Sequence, residues 1–445
     1  MASSKLGPNY RKLFAASTIS NLGDGIGQIA YPWLASAVTR NPLLVALVVV
    51  VQKLPWLLFS LPAGVITDRY ERRRLMVLAN SLRAVLTVAV AVAVLREGDG
   101  LPGPDELDAT LAAVDTNVGL YIIILISTLL LGTAEVLYDN TAQTLMPSLV
   151  HDSDLERANG RLWSAEEVAN TVAGPAAGAA LLAIAFAAPF AVDALTFTLS
   201  AALIYLLPRS PAEVKAVVDR KPWRVELVEG FSWLWEHELL RRLAISLGLL
   251  NMVFNMAFAA FVLFAQEVLA TSPVQFALLS TGGAAGGILG GWSASWISAR
   301  IGSGPSLWLT LIAGGLASLV IGFTSWWPVV WAMLALAMFF AVLWNVITVS
   351  LRQTIIPDEL LGRVNSVYRF FGWGSIPIGA LIGGLIVVFG ETTLSRDMAL
   401  RLPWFASGVL QLLLLTYVVR HLTTDKINAA RSEAARRDQQ TDPTT

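Results

Sequence analysis

The stretch Gly64-Val65-Ile66-Thr67-Asp68-Arg69-Tyr70-Glu71-Arg72-Arg73-Arg74 decides the reading of this chain. It is short and charged, and it lies between two long apolar stretches, 43–67 and 75–95. A cationic turn joining two membrane-length helices belongs on the side that keeps positive charge, the cytoplasm. In this reading Gly64 lets a neighbouring helix come close. Asp68 sits where a carboxylate can meet the positive N-terminal end of another helix. The arginines supply fixed charge for carboxylates nearby.

Composition extends the reading to the whole chain. Of 445 residues, 55% are hydrophobic and 14% charged, against roughly 25% charged in soluble proteins. Apolar runs of about 20 residues recur throughout, the pattern of an all-α polytopic membrane protein. Cysteine is absent, which excludes disulfides and thiol chemistry. The three histidines, His151, His237 and His421, lie far apart in expected loops, so no His-based metal site is expected. The run 13–37 is too long and too polar for a cleaved signal and reads as the first span.

Twelve spans are expected: 13–37, 43–67, 75–95, 118–145, 160–187, 190–208, 242–268, 275–299, 305–325, 328–350, 363–389 and 402–420. With the N-terminus inside, 24 Lys and Arg residues fall on the cytoplasmic side and 4 outside, while Lys53, Arg83 and Arg369 fall within spans. That asymmetry puts both termini in the cytoplasm. The expected division is a six-span bundle over 1–208, a cytoplasmic linker over 209–241, a second six-span bundle over 242–422 and a cytoplasmic tail over 423–445, disordered at its end. In the linker, Trp223, Leu227, Phe231, Leu234 and Trp235 share one helical face, the pattern of an amphipathic helix on the inner membrane surface. Two pseudo-symmetric halves are supported by a repeat. Gln143-Thr-Leu-Met-Pro147 recurs as Gln353-Thr-Ile-Ile-Pro357, and Leu155-Glu-Arg157-Ala-Asn159 as Leu361-Gly-Arg363-Val-Asn365.

Polar residues at membrane depth are costly, so their positions carry information. In the first span Ser17, Asn21, Asp24, Gln28 and Tyr31 recur at helical spacing as one stripe. The second span carries Lys53, the third Arg83 and the fourth Glu135 and Asp139. The seventh has Asn251 and Asn255, and the tenth Asn345. Asp24 is expected to pair with Lys53. A carboxylate that is desolvated and paired by turns can bind and release a proton, so Asp24 and Glu135, with Lys53, are the candidates for proton coupling. The alternative for each is a static pair that holds helices together. Arg83 reads as structural. Asp139 reads as a partner of Arg69 or Arg73 in a latch at the inner end, and Arg363 is counted among the gating residues. Glycine rows, from Gly282 to Gly291 and from Gly372 to Gly384, permit close packing. Gly174-Pro175 with Gly178 loosens the fifth span, since proline removes one backbone bond.

The pattern Gly64-x-x-x-Asp68-Arg69-x-x-Arg72-Arg73-Arg74 resembles the signature loop of the major facilitator superfamily, between its second and third helices. Glu71 stands where that family usually has a second glycine. The motif around Gly174, Pro175 and Gly178 is partly similar to the fifth-helix signature of its antiporters, with Asn170 and Ala179 at usual glycine positions. Asn21-Leu-Gly-Asp24-Gly, Asn80-Ser-Leu-Arg83-Ala, Glu135-Val-Leu-Tyr-Asp139-Asn and Pro189-Phe-Ala-Val-Asp193-Ala look like its bacterial drug and siderophore efflux branch, which contains enterobactin exporters and macrolide efflux proteins. The resemblance implies the major facilitator fold and export of a small amphipathic compound by alternating access in a bacterial inner membrane. It implies a mid-membrane cavity lined by spans 1, 4, 7 and 10. There Asp24, Gln28, Glu135, Asn251, Asn255 and Asn345 would make polar contacts, and Tyr31, Phe254, Phe258 and Trp344 apolar or stacking ones. Proton antiport is the expected energy source, because no nucleotide-binding Gly-x-x-x-x-Gly-Lys-Ser/Thr is present. No nucleophile with its base and no metal constellation is found, so no enzyme, no cofactor and no metal are expected. Expected partners are a small molecule, protons and the bilayer, without nucleic acid, and the chain is expected to be a monomer. The rival readings are a lipid or lysolipid translocator of the same fold and a membrane sensor without turnover.

Overall fold

The computed structural model describes residues 6–97, 100–107, 115–146, 149–151, 154–208 and 223–441. The described residues are helical with short connections and contain no strand. In chain order the helices are α1 Pro8–Val38, α2 Pro42–Arg69, α3 Arg72–Glu97, α4 Val118–Leu145, α5 Leu155–Val168, α6 Gly174–Leu182, α7 Ala187–Tyr205 and α8 Trp223–Glu236. They continue as α9 Glu238–Phe258, α10 Phe261–Glu267, α11 Pro273–Ile301, α12 Ser303–Phe323, α13 Trp327–Ile355, α14 Asp358–Gly390, α15 Arg396–His421 and α16 Thr424–Thr441. Every expected span falls on these helices. Among the described residues nine helical stretches are long and apolar enough to cross a membrane. The α1, α5–α6 and α11 segments are not among them. Polar residues in α1 and the glycine row of α11 lower their mean hydropathy.

Local chemistry sets the helix ends. Proline opens α2 at its first position, where the missing N–H costs nothing. The Asn41 side chain caps the same helix by accepting from the Leu43 and Leu44 N–H groups at 2.9 and 3.4 Å. Asn117 caps α4 and Ser395 caps α15 in the same way. Between α5 and α6 the chain widens into a π turn, Ala169–Ala173, just before Gly174-Pro175. Pro175 cannot donate to the preceding turn, and the wider turn takes up the mismatch.

The chain forms two compact units. One comprises Met1–Val218 with Val262–Ser280, the other Asp219–Phe261 with Thr281–Thr445. In the first unit α3 packs against α4 and α7, and α1 against α6 and α7. A Cβ at Gly174 would lie 2.6 Å from the Gly25 Cα, so α1 and α6 cross at a glycine pair that no other residue fits. In the second unit α9 packs against α14, and α12 against α13 and α15. Gly286 and Gly290 of α11 sit directly on the backbone of Ala335 and Phe339 in α13. Lipid tails are as apolar as leucine, so such close backbone contact replaces hydrophobic drive between helices.

Two expected segments outside the spans take definite form among the described residues. The tail beyond Leu422 continues as α16, which sinks Ile427 and Ala434 into the core of the second unit. The turn before it is fastened by the Gly304 N–H donating to Thr424 Oγ1 at 3.1 Å and by the Trp308 indole donating to the Leu422 carbonyl at 3.1 Å. Only 442–445 of the tail lie outside the described residues. The amphipathic segment is α8, but its apolar residues divide. Leu234 is buried within the second unit, while Val228, Phe231 and Trp235 are exposed. Residues 209–222 of the expected linker lie outside the described residues.

Candidate functional site

The first unit holds a charged cluster around Arg83. This side chain is 2% exposed and forms an ion pair with Asp24 of α1. It also donates to Ser20 Oγ at 3.1 Å and to Asn80 Oδ1 at 3.2 Å. The face of its guanidinium lies 4.0 Å from the Phe197 ring centroid on α7. Asn80 passes the network on to Ser200 Oγ at 2.8 Å, and Ser200 donates to the Ala16 carbonyl at 2.8 Å. One cation thus ties α1, α3 and α7 together. Asp24 therefore pairs with Arg83 and not with Lys53, which corrects the sequence expectation. Lys53 lies close enough for its charge to act on Asp24, as does Glu135.

Glu135 and Asp139 stand one turn apart on α4, where like charges repel. Neither makes a hydrogen bond or ion pair among the described residues. Both lie within electrostatic reach of Arg83. A fourth carboxylate, Asp193 on α7, is 3% exposed, and Thr196 Oγ1 is its side-chain partner at 3.4 Å. Around one region of the first unit, two cations face four carboxylates. The sequence motif Pro189-Phe-Ala-Val-Asp193-Ala contains this residue, but the motif alone assigns it no role. The usable signal was a lone carboxylate in an otherwise apolar span.

Of the two partners expected for Asp139 in an inner latch, only Arg73 has a described side chain. Arg73 donates to the Leu207 carbonyl at 2.8 Å and lies 4.7 Å from the Tyr205 ring, so it does not reach Asp139. Asp139 belongs to the Arg83 cluster. Arg72 opens α3, and Glu71 pairs with Arg74 at 2.8 Å. The surroundings of Gly64 and the side chains of Asp68 and Arg69 lie outside the described residues. In the second unit Arg363 pairs with Glu229 of α8 at 2.8 Å. A Cβ on Gly230 would come within 2.8 Å of the Arg363 backbone, so α8 is seated on the start of α14.

Gln28 donates to Asn170 Oδ1 at 2.9 Å, and Asn170 donates to Asn21 Oδ1 at 3.1 Å. The π turn therefore presents Asn170 to the polar stripe of α1. Gly178 lies against the Ile26 backbone, and Pro175 is buried beside Gly174. Tyr31 is 5% exposed, edge-on to Phe190, and its hydroxyl has no partner among the described residues. Trp344 is 2% exposed within the second unit's core. These two were expected on a cavity surface; packing within their own units takes them instead. Asn251 donates to the Gly372 carbonyl at 2.8 Å, and Asn255 to the Asn251 carbonyl at 2.8 Å. Phe254 stacks on Phe258 with centroids 4.5 Å apart, and Phe258 meets Trp404 edge-on at 5.3 Å. Asn345 is exposed on α13.

At the other end of α1 lies a second buried charge pair. Arg40 donates to Glu267 at 2.5 Å and to Gln266 Oε1 at 2.8 Å, and Gln266 donates to Ser36 Oγ at 2.8 Å. The pair is 4% and 7% exposed. Phe276 lies 5.2 Å from Trp33. These contacts hold 262–280 to α1 within the first unit.

The described residues are thus those of a helical membrane protein in two compact units, with a charged cluster buried in the first. The family model described as Major Facilitator Superfamily matches residues 13–380, and the chain belongs to that family. It is 25% identical over 431 residues to the multidrug efflux pump Tap of Mycolicibacterium fortuitum, covering 93% of this chain and 97% of that one. It is 27% identical over 431 residues to the enterobactin exporter EntS of Shigella boydii, covering 94% and 95%. Among solved structures it is similar to a bacterial homologue of the iron transporter ferroportin, with a TM-score of 0.67 and 16% identity over 94% of this chain and 99% of that one. The chain is thus a multi-pass membrane transporter and not an enzyme.

Proposed function

We propose that this transporter exports a small amphipathic compound, of the drug or siderophore class, across a bacterial inner membrane by proton antiport. The observation that carries the reading is the charge imbalance around Arg83. Two cations, Arg83 and Lys53, face Asp24, Glu135, Asp139 and Asp193. An ionised carboxylate without a cation is costly at membrane depth. A proton or a cationic ligand relieves that cost, and the two can substitute for each other. In the proposed cycle Asp24 leaves Arg83 when it takes a proton, and Arg83 then answers to Glu135 and Asp139. Release of the proton restores the Asp24–Arg83 pair. A cationic amphiphile fits the acidic side of this exchange. Gln28, exposed on the same helix as Asp24, offers it a neutral contact. The bundles 1–208 and 242–422 are the moving bodies of an alternating-access cycle, joined by 209–241, with both termini in the cytoplasm. The names of the two efflux relatives support this direction of transport.

The test is proton movement in sealed proteoliposomes loaded with a pH-sensitive dye and offered siderophores, macrolides and cationic dyes in turn. The expected result is a substrate-dependent pH change that Asp24→Asn abolishes while that variant folds and inserts normally. Undiminished proton-driven transport by Asp24→Asn would reduce Asp24 to a structural residue.

A further inference from the structure

A groove of about 880 Å3 runs along the first unit between α1 and α5. Its floor and walls include Phe14, Ile19 and Leu22 from α1 and Val168, Ala169 and Ala173 from α5 and the π turn. Two hydroxyls also line it, and both are already spent on their own helices. Thr18 donates to the Phe14 carbonyl at 2.7 Å, and Ser164 to the Gly160 carbonyl at 2.8 Å. The groove is therefore apolar along its length, and none of the Arg83 cluster lines it.

One end is different. Arg157 and Arg161 line the groove where α1 and α5 begin together, since Tyr10 donates to the Ala158 carbonyl at 3.0 Å. Arg157 pairs with Asp154 at 3.0 Å. Arg161 is exposed and makes no hydrogen bond or ion pair among the described residues. From Arg161 to Ala173 the helical rise is about 18 Å, close to the ~15 Å depth of one leaflet's hydrocarbon. An apolar channel of leaflet depth with an unanswered cation at its mouth matches one chemistry: an acyl chain carrying an anionic head.

We propose that the α1–α5 groove holds an anionic phospholipid of the bilayer, its acyl chain lying along α1 and its phosphate on Arg161. In the proposed orientation this lipid belongs to the cytoplasmic leaflet; the binding itself does not rest on that orientation. The site stands apart from the proton-coupled cluster, so the lipid is a bound component of the transporter and not its cargo.

The experiment titrates the delipidated full chain in detergent with dioleoyl phosphatidylglycerol and reads occupancy by native mass spectrometry. Dioleoyl phosphatidylcholine and glycerol 3-phosphate serve as controls. The expected result is a phosphatidylglycerol preference that Arg161→Ala weakens about fivefold and Arg161→Lys restores. Ala165→Trp, which fills the groove, lowers binding of both lipids. Equal binding of the two lipids overturns the proposal, as does a preference that survives Arg161→Ala. Binding of glycerol 3-phosphate as tight as that of the lipid would make the site an anion site only, and overturns it too. None of these readings involves proton flux, so a failed antiport assay leaves this result standing, and the reverse.

Discussion

Helix α1 of the first unit and helix α9 of the second handle polarity by opposite rules. On α1, Asp24 is held by the cation of another helix, Arg83, with further carboxylates on α4 and α7 nearby. On α9, Asn251 and Asn255 are neutral amides that donate to backbone carbonyls, beside the aromatic stack of Phe254 and Phe258. An amide on a carbonyl has one state and is satisfied in it. A carboxylate–guanidinium pair has at least two states, because a proton can take the place of the cation. In the proposed cycle the change of charge falls on α1 and its neighbours, and α9 contributes shape and neutral contacts.

The largest effect should come from breaking the pair on α1. Arg83→Met leaves the partly buried Asp24 without its cation and is expected to cost about 3 kcal/mol, seen as a large fall in the melting temperature of the purified chain. Adding Asp24→Asn to it should recover most of that loss. A single variant that melts like the parent would show that Arg83 does not balance Asp24. The comparison sharpens at the other end of α1, where the same rule predicts a somewhat smaller cost. Arg40→Ala should lose about 2–3 kcal/mol and raise hydrogen exchange locally over 262–280, because Glu267 and Gln266 tie that segment to α1. Unchanged exchange there would sink the assignment. The smallest effect belongs to α9. Asn255→Ala removes one amide–carbonyl bond and should cost about 1 kcal/mol. It should raise the substrate KM while leaving the protons moved per substrate unchanged. A changed proton ratio would erase the contrast between the two helices.

Much of the fold was legible because apolar runs of membrane length admit few structures. Each expected span lies on a helix, and the Gly174-Pro175 motif coincides with the end of the π turn. The candidate site was legible only as a set of residues. Asp24, Glu135 and Asp139 stood out as carboxylates in apolar surroundings, and all three do gather near Arg83. Their partners were not legible. Lys53 seemed the natural mate for Asp24 by depth alone, yet helix packing brings α3 to it instead. Asp139 is expected to meet Arg69 or Arg73; the Arg73 guanidinium turns to the end of α7, and the Arg69 side chain lies outside the described residues. Tyr31 and Trp344 had the right depth for a cavity but face their own cores, because the rotation of a helix about its axis is not written in depth. In the tail, Ile427 and Ala434, seven residues apart, dock a helix whose composition is polar overall.

By itself, the amino-acid sequence determined that this chain is a helical membrane protein, roughly where its helices run and which polar groups they carry into the apolar region. Hydropathy and helical periodicity are local properties, and a backbone in lipid must satisfy its own hydrogen bonds. Only the tertiary structure decided which of those groups meet. Arg83 to Asp24, Arg40 to Glu267, Arg363 to Glu229 and Asn170 to Gln28 each join residues more than 50 positions apart. Such pairings depend on how helices rotate and cross, and here close glycine contacts such as Gly25 on Gly174 set those crossings.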